Sequence, residues 1–205
     1  MKKLLLTSGG FSSQQIVDVF KNMVEKNLQE LKVLYIPTAC RPNSPPAIEF
    51  ISMWKNVLVR LGIGQENISS YDFEFEMSAE ELSTYQAVYV GGGNTFYLLH
   101  KLKENGFDKK LAAAVENGLV YVGMSAGSIV AGPTIETAAP FDPNDIGIKD
   151  FSGMNLTAHI VVPHYSEKRK EIVKKFQEIL PYEIVAVKDT QALAVWGDKK
   201  EIVGI

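Results

Sequence analysis

The segment LVYVGMSAGS, residues 119–128, is the most informative stretch of the chain. Four apolar residues, two of them valines, are typical of a buried strand, and the apolar residues after Ser128 begin a short helix. Between them, glycines stand two positions before and two positions after Ser125. This is the pattern of a nucleophile elbow, in which neighbours without side chains let a strand and a helix pass closely. The pattern predicts that Ser125 protrudes from a strained turn as a nucleophile; a serine that merely caps a helix is the alternative.

Apolar strands and amphipathic helices alternate on both sides of this segment. Strands are predicted at residues 4–7, 33–36, 68–73, 87–90, 119–122, 158–162, 184–187, 192–196 and 201–205. Helical spacing of apolar residues predicts helices at residues 16–24, 48–61, 78–82, 96–102, 109–117 and 172–180. The alternation predicts a single α/β domain over residues 1–205, a three-layer α/β/α sandwich whose mainly parallel sheet is covered on both faces.

The composition narrows the classes of function. With 205 residues, 46% of them hydrophobic, and a net charge of −3, the chain has the profile of a soluble globular protein without the basic surface of a nucleic-acid binder. The single cysteine, Cys40, excludes an internal disulfide and a cysteine zinc site and suits a reducing compartment. The leucines after Lys3 are too few for a signal peptide, and no apolar run is long enough for a membrane span. We therefore expect a cytoplasmic protein.

A second glycine-rich turn, Gly91-Gly92-Gly93-Asn94-Thr95, follows the strand at residues 87–90. In a parallel sheet, active sites lie beyond the carboxyl ends of the strands, where both glycine turns are expected to meet. The N–H of Ala126 is in the usual position for one oxyanion donor, and Gly92 or Gly93 fits the second. A phosphate cradle is the alternative for the triple glycine, and Asn94 could cap the next helix or touch substrate.

A serine nucleophile needs a base, and the chain has three histidines. His164 follows an apolar strand and therefore lies at a carboxyl end like Ser125, whereas His100 lies within a predicted helix and His159 within a predicted strand. The base in turn needs an acid that orients it. Asp189, which follows the strand at 184–187, is the first choice; the other candidates lie in the acidic loop at 134–153, where Asp142 is preferred over Asp145 and Glu136.

The motifs at residues 91–96, 123–127 and 163–164 together resemble peptidase family S51, which includes aspartyl dipeptidase (peptidase E) and cyanophycinase. The resemblance covers nearly the whole chain. It implies a class I glutamine amidotransferase-like (flavodoxin-like) fold and hydrolysis of a peptide bond next to an acidic residue, without metal or organic cofactor. It also implies that Ser125 is the nucleophile and His164 the base, and that Ala126 with Gly92 or Gly93 forms the oxyanion hole.

Two features depart from the family pattern. In peptidase E the acid follows the nucleophile closely, where spacing places Pro140 here and Asp142 two residues later; cyanophycinase-like members use an acid beyond the histidine, near the position of Asp189. A preference for an acidic residue also requires a cation. The sequence does not match any arginine, namely Arg41, Arg60 or Arg169, to that role.

The leading hypothesis is a serine peptidase, monomeric or homodimeric, that cleaves short peptides through an acyl-enzyme. An esterase of the α/β-hydrolase type shares the elbow, but its histidine lies near the C-terminus, whereas 41 residues follow His164 here. A binding or regulatory domain that kept the fold without the chemistry is the alternative from a different class.

Overall fold

A computed structural model describes residues 1–40 and 45–205. Its strands are β1 (Lys3–Thr7), β2 (Val33–Ile36), β3 (Ile68–Ser70), β4 (Ala87–Val90), β5 (Val120–Met124), β6 (His159–Val162), β7 (Glu183–Ala186), β8 (Gln191–Trp196) and β9 (Lys199–Gly204). Seven of them form a central sheet in the order β3-β2-β4-β5-β1-β8-β9. The first five strands of that order are parallel, while β8 runs antiparallel to both β1 and β9. The sheet is therefore mainly parallel, as the sequence predicts.

The helices cover both faces of this sheet. They are α1 (Gln14–Val24), α2 (Pro45–Arg60), α3 (Ala79–Leu82), α4 (Thr95–Glu104), α5 (Phe107–Glu116), α6 (Ala126–Ile129) and α7 (Lys170–Ile179). Alternate residues of each strand supply the two cores. Leu4 and Leu6 of β1 pack with α4 and α5, whereas Leu5 packs on the opposite face with α1 and the end of α2. The chain therefore has the α/β architecture with flanking helices that its alternating pattern predicts.

The strand register brings the two glycine turns together. Val90, the last residue of β4, is paired with Gly123 of β5, and Thr7, at the end of β1, is paired with Met124. The carboxyl ends of these three central strands therefore coincide. The turns after β1, β4 and β5 meet at one edge of the sheet, which is where a site is expected in a parallel sheet.

The strands that precede His164 and Asp189 do not join the central sheet. β6 and β7 pair with each other in a separate two-stranded parallel sheet, and α7 packs on it through Val173. The prediction did not distinguish these strands from the rest. The sequence predicts them as further strands of one sheet. A strand, a helix and a parallel strand give the same pattern of apolar residues whether the two strands join the central sheet or form a sheet of their own.

Several element boundaries differ from the prediction. The strand expected to reach residue 73 ends at Ser70, and the last strand begins at Lys199, after a two-residue turn at Gly197 and Asp198. The elbow helix begins at Ala126, two residues earlier than expected, and lasts four residues. The acidic segment at 134–153 is a loop as predicted, apart from a short 3-10 turn at Glu136–Ala138.

The proline-rich loop predicted at residues 38–46 is described only in part. A 3-10 turn spans Thr38–Cys40, α2 has already begun at Pro45, and Arg41 lies outside the described residues. Among the helices that the structure describes, none combines the length and the apolar character needed to cross a membrane.

Candidate active site

Ser125 occupies a strained backbone conformation between β5 and α6, with φ of 50° and ψ of −108°. Non-glycine residues rarely adopt a positive φ, so the surrounding structure must hold this turn in place. The two flanking glycines explain how. A β-carbon on Gly123 would lie 2.6 Å from the carbonyl oxygen of Gly127, and one on Gly127 would lie 2.2 Å from that of Val90. The elbow therefore requires glycine at both positions, as the sequence predicts.

The structure brings Ser125, His164 and Asp189 into one chain of hydrogen bonds. Ser125 Oγ lies 2.8 Å from His164 Nε2, and His164 Nδ1 lies 2.5 Å from Asp189 Oδ1. His164 also has a positive φ, 58°, at the end of β6, so both residues of the first contact sit in strained turns. With an ionised Asp189, Nδ1 carries the ring hydrogen and the lone pair of Nε2 faces the serine hydroxyl.

Hydrogen bonds favour the ionised form of Asp189. Burial acts to raise the pKa of this carboxyl, but hydrogen bonds from Ser8 and His164 and the positive charge of Arg169 act in the opposite direction and leave the pKa below its usual value. A carboxylate in this position can orient an imidazole and stabilise its protonated form. The arrangement can therefore remove the proton of a serine hydroxyl.

The segment that carries these residues matches a known family. The sequence profile of peptidase family S51 matches residues 4–203. The chain belongs to peptidase family S51. The coverage includes all three motifs of the sequence analysis, so the resemblance seen there is confirmed.

Several relatives of this chain are also named as peptidases. An uncharacterized peptidase of Pasteurella multocida is 28% identical over 100% of this chain and 98% of its own length. An uncharacterized peptidase of Listeria monocytogenes is 32% identical over 85% of this chain and 84% of its own length. A peptidase E of Nostoc is 42% identical, but over 47% of this chain and 40% of its own length. These S51 relatives support a peptidase.

Solved structures share the fold. The crystal structure of a candidate peptidase E protein from L. monocytogenes superposes with a TM-score of 0.80, at 29% identity, and covers 100% of this chain and 99% of that one. A peptidase from an acI-B1 Actinobacterium has a TM-score of 0.71 at 21% identity, with 100% and 88% covered, which shows the fold alone.

A cavity of about 300 Å³ opens beside Ser125 and His164. Its walls include Gly93, Ile129, Thr137, Phe141, Val162 and Arg169. The Arg169 guanidinium lies 3.8 Å above the Phe141 ring and donates a hydrogen bond to the Pro163 carbonyl at 3.0 Å. Partial burial lowers the pKa of Arg169, against the opposing influence of Asp189 and Asp142. The sequence does not distinguish this arginine from the other two. Its place at the cavity depends on the 3-10 turn Glu167–Arg169, which the apolar pattern does not predict.

The cavity wall also holds a hydroxyl that has no hydrogen-bond partner among the described residues. Thr137 is 1% exposed, and its Oγ1 has no hydrogen-bond partner among the described residues. An unsatisfied buried hydroxyl is costly, so a group at a cavity wall is suited to contact a ligand. The sequence gives no signal for this position, because nothing distinguishes Thr137 from the other threonines of the chain.

Two predicted site residues have other roles. Asp142 lines the cavity, but its Oδ2 accepts a hydrogen bond from the N–H of Thr95 at 2.8 Å, at the start of α4. Asn94 caps the same helix, since its Oδ1 accepts from the N–H of Tyr97 at 2.8 Å and its Nδ2 donates to the carbonyl of Pro143. Asp142, the second choice of orienting acid, is thus engaged away from His164. Asn94 therefore has the capping role, one of the two that the sequence left open, and its contact with substrate stays a prediction.

The predicted oxyanion residues lie beside the serine. A β-carbon on Gly92 would approach the Ser125 β-carbon to 3.1 Å, and Gly93 lines the cavity. Among the hydrogen bonds of residues 1–40 and 45–205, none uses the N–H of Gly93 or of Ala126. The thiol of Cys40 donates to the Gly92 carbonyl at 3.0 Å and so braces this turn.

The other candidate side chains lie elsewhere. His159 Nδ1 is 2.8 Å from Thr157 Oγ1, and its Nε2 is 3.0 Å from Lys200 Nζ. His100 lies on α4 with its Nε2 4.0 Å from a carboxylate oxygen of Glu104. Across the part of the chain that the structure describes, His, Cys, Asp and Glu do not gather in groups of three that could hold a metal ion.

Proposed function

We propose that the chain is a serine peptidase that hydrolyses short peptides through an acyl-enzyme on Ser125. The observation that carries the proposal is the uninterrupted contact from Ser125 Oγ through the His164 ring to Asp189 Oδ1. Such a contact activates an otherwise inert hydroxyl, because a base is within reach of its proton and an acid orients the base. Membership of family S51 supports the peptide bond as the target.

The reaction follows from the positions of these atoms. Ser125 Oγ attacks the carbonyl carbon of the scissile bond while its proton passes to His164 Nε2. The tetrahedral intermediate collapses, the C–N bond breaks, and the imidazolium returns the proton to the departing amine. A water molecule then attacks the carbonyl carbon of the acyl-enzyme while His164 takes its proton. The bond to Ser125 Oγ breaks, the proton passes to that oxygen, and the carboxylic acid product leaves. Asp189 keeps the imidazole in the required tautomer throughout.

The developing oxyanion is assigned to backbone donors. The N–H of Ala126 follows the nucleophile at the start of α6, and the turn at Gly92 and Gly93 lies against Ser125. Because Gly93 has φ of 139°, its backbone adopts a conformation that side chains disfavour. Two preorganised N–H groups at such a position stabilise negative charge more strongly than water can, since they need no reorientation.

The cavity favours a substrate with an acidic residue next to the scissile bond. Its volume of about 300 Å³ suits one amino-acid side chain with its neighbouring backbone, hence a short peptide. Arg169 supplies the cation that a carboxylate needs, and Thr137 Oγ1 supplies an unpaired donor at the same wall. An arginine binds a carboxylate through two parallel hydrogen bonds, which confers specificity as well as affinity.

A Ser125→Ala variant tests the mechanism. We expect this variant to lose on the order of 10⁴-fold or more in kcat/KM against a dipeptide library that includes Asp-Xaa and neutral members. A fluorophosphonate probe should label the native enzyme at Ser125 and leave the variant unlabelled. Native protein that is neither labelled nor active would favour a binding domain of the same fold. Labelling with turnover of esters alone would favour an esterase.

A further inference from the structure

Ser8 connects the two residues that complete the proposed triad. Its hydroxyl donates a hydrogen bond to Asp189 Oδ1 at 2.8 Å and accepts one from the backbone N–H of His164 at 2.7 Å. Ser8 is fully buried and directly follows β1, a strand of the central sheet. One hydroxyl, 156 residues from His164 and 181 from Asp189, therefore contacts both.

Asp189 needs such a support because of where it lies. Its side chain is 68% exposed, and it lies in the turn between β7 of the small two-stranded sheet and β8 of the central sheet. An exposed carboxylate can adopt several rotamers, and water competes with its protein partners for hydrogen bonds to its oxygens. His164 by itself would therefore hold Asp189 weakly, and the geometry of the base would vary with it.

The backbone around Ser8 is shaped to receive the Asp189 turn. A β-carbon on Gly9 would lie 2.6 Å from the carbonyl oxygen of Asp189, so the two segments touch only because residue 9 is glycine. The N–H of Ser8 donates to the carbonyl of Gln191, and Ser12 Oγ donates to the carbonyl of Asp189. The loop after β1 therefore fixes this turn through main chain and side chain together.

We propose that Ser8 is a positioning residue that locks Asp189 and the backbone of His164 to the central sheet, in register with Ser125. The inference rests on the proposed function, because it concerns the same reaction. Ser8 does not line the cavity beside Ser125, so it acts on the substrate only through its two partners. It lowers the energy of the transition state by keeping the imidazole aimed at the serine hydroxyl.

The test compares Ser8→Ala with native enzyme, using the peptide that the native enzyme cleaves best. We expect kcat to fall by about tenfold or more, up to the roughly hundredfold that a misplacement of about 1 Å can cost, while KM changes little. The rate of fluorophosphonate labelling should fall by a similar factor, because it reports the reactivity of Ser125 without a peptide. Ser8→Cys, which keeps the shape but has a weak donor, should behave like the alanine variant.

A double-mutant cycle separates positioning from general damage. In an Asp189→Ala background, Ser8→Ala should lower kcat by a clearly smaller factor than in native enzyme, since only its contact with the His164 backbone remains to be lost. A purely structural Ser8 would cost as much there as in native enzyme. Ser13→Ala is the matched control, because Ser13 caps α1 through the N–H of Ile16, five residues further along the same segment.

The outcomes distinguish this inference from the function on which it rests. An active native enzyme with Ser8→Ala and Ser8→Cys within about threefold of its kcat would overturn the role of Ser8 and leave the peptidase proposal intact. Native protein without activity or labelling would instead overturn the peptidase proposal. Should Ser8→Ala fail to fold, as judged by circular dichroism, the cycle is performed with Ser8→Cys.

Discussion

His164 Nδ1 lies 2.5 Å from Asp189 Oδ1. This contact joins the segments that follow β6 and β7, the two paired strands of the small sheet. The alternative acid, Asp142, accepts from the N–H of Thr95 instead. The two carboxylates lie near the same cavity but have different partners. Their substitution should therefore separate catalysis from helix capping.

We expect Asp189→Asn to lower kcat/KM by on the order of 10³- to 10⁴-fold, because an amide at this position favours the wrong histidine tautomer. Asp142→Asn should lower kcat/KM by less than about tenfold and lower the free energy of unfolding by about 0.5–2 kcal/mol, as expected for a weakened cap at a helix N-terminus. Steady-state kinetics and urea unfolding of both variants measure the difference. The reverse ranking of the two kinetic effects would assign the orienting acid to Asp142.

The elbow gives a second prediction. Gly127→Ala places a β-carbon 2.2 Å from the carbonyl oxygen of Val90, and backbone cannot move aside as a side chain does. We expect loss of labelling at Ser125 and a lower melting temperature. Gly106→Ala is the control, because Gly106 has φ of 61° with nothing within 4 Å of an added β-carbon. It should cost about 1–2 kcal/mol of stability without loss of labelling. Full labelling of Gly127→Ala would show that the elbow tolerates a side chain.

The sequence predicted those parts of the fold and site that depend on local pattern. Runs such as Leu4–Leu6 define strands because they are apolar on both faces, and glycines two positions from Ser125 define the elbow by sterics alone. His164 was selected because it follows an apolar strand. Each of these inferences uses residues within a few positions of each other.

What the sequence could not decide depends on contacts between distant segments. The separation of β6 and β7 from the main sheet leaves no local signal, because buried parallel strands look alike in either sheet. The sequence favours Asp189 over Asp142 by its place after a strand, but it does not show which carboxylate faces Nδ1 of His164. The role of Ser8 has no local signal either, because its two partners are 156 and 181 residues away along the chain.

Arg169 gives a prediction about specificity. We expect Arg169→Gln to reduce kcat/KM for peptides with an acidic residue at the scissile bond by about 10- to 100-fold, the worth of a hydrogen-bonded charge pair. Neutral peptides should lose only a few-fold, through the contacts of Arg169 with Phe141 and Pro163. Lys168→Gln, which removes the neighbouring exposed cation, is the matched control. An equal loss for acidic and neutral peptides would mean that Arg169 only supports the fold of the cavity wall.

The surroundings of His159 make the stability of the folded chain depend on pH. Burial and the nearby charge of Lys200 lower its pKa, and Glu183, the facing carboxylate, opposes them only in part. The unfolded chain, with a histidine pKa of about 6.5, therefore binds more protons here than the folded chain, so stability rises with pH up to about that value and falls below it.

We expect His159→Gln to flatten the dependence of melting temperature on pH between about pH 5 and pH 7, because the side chain that must stay neutral in the fold is gone. His100→Gln, which removes a histidine of α4 that lies outside this group of charges, is the matched control. Thermal unfolding by circular dichroism in buffers of equal ionic strength measures all three proteins. Since Lys200 contacts both His159 and Glu183, an unchanged slope in His159→Gln would show that Glu183 compensates the charge of Lys200 and leaves the histidine free to bind its proton.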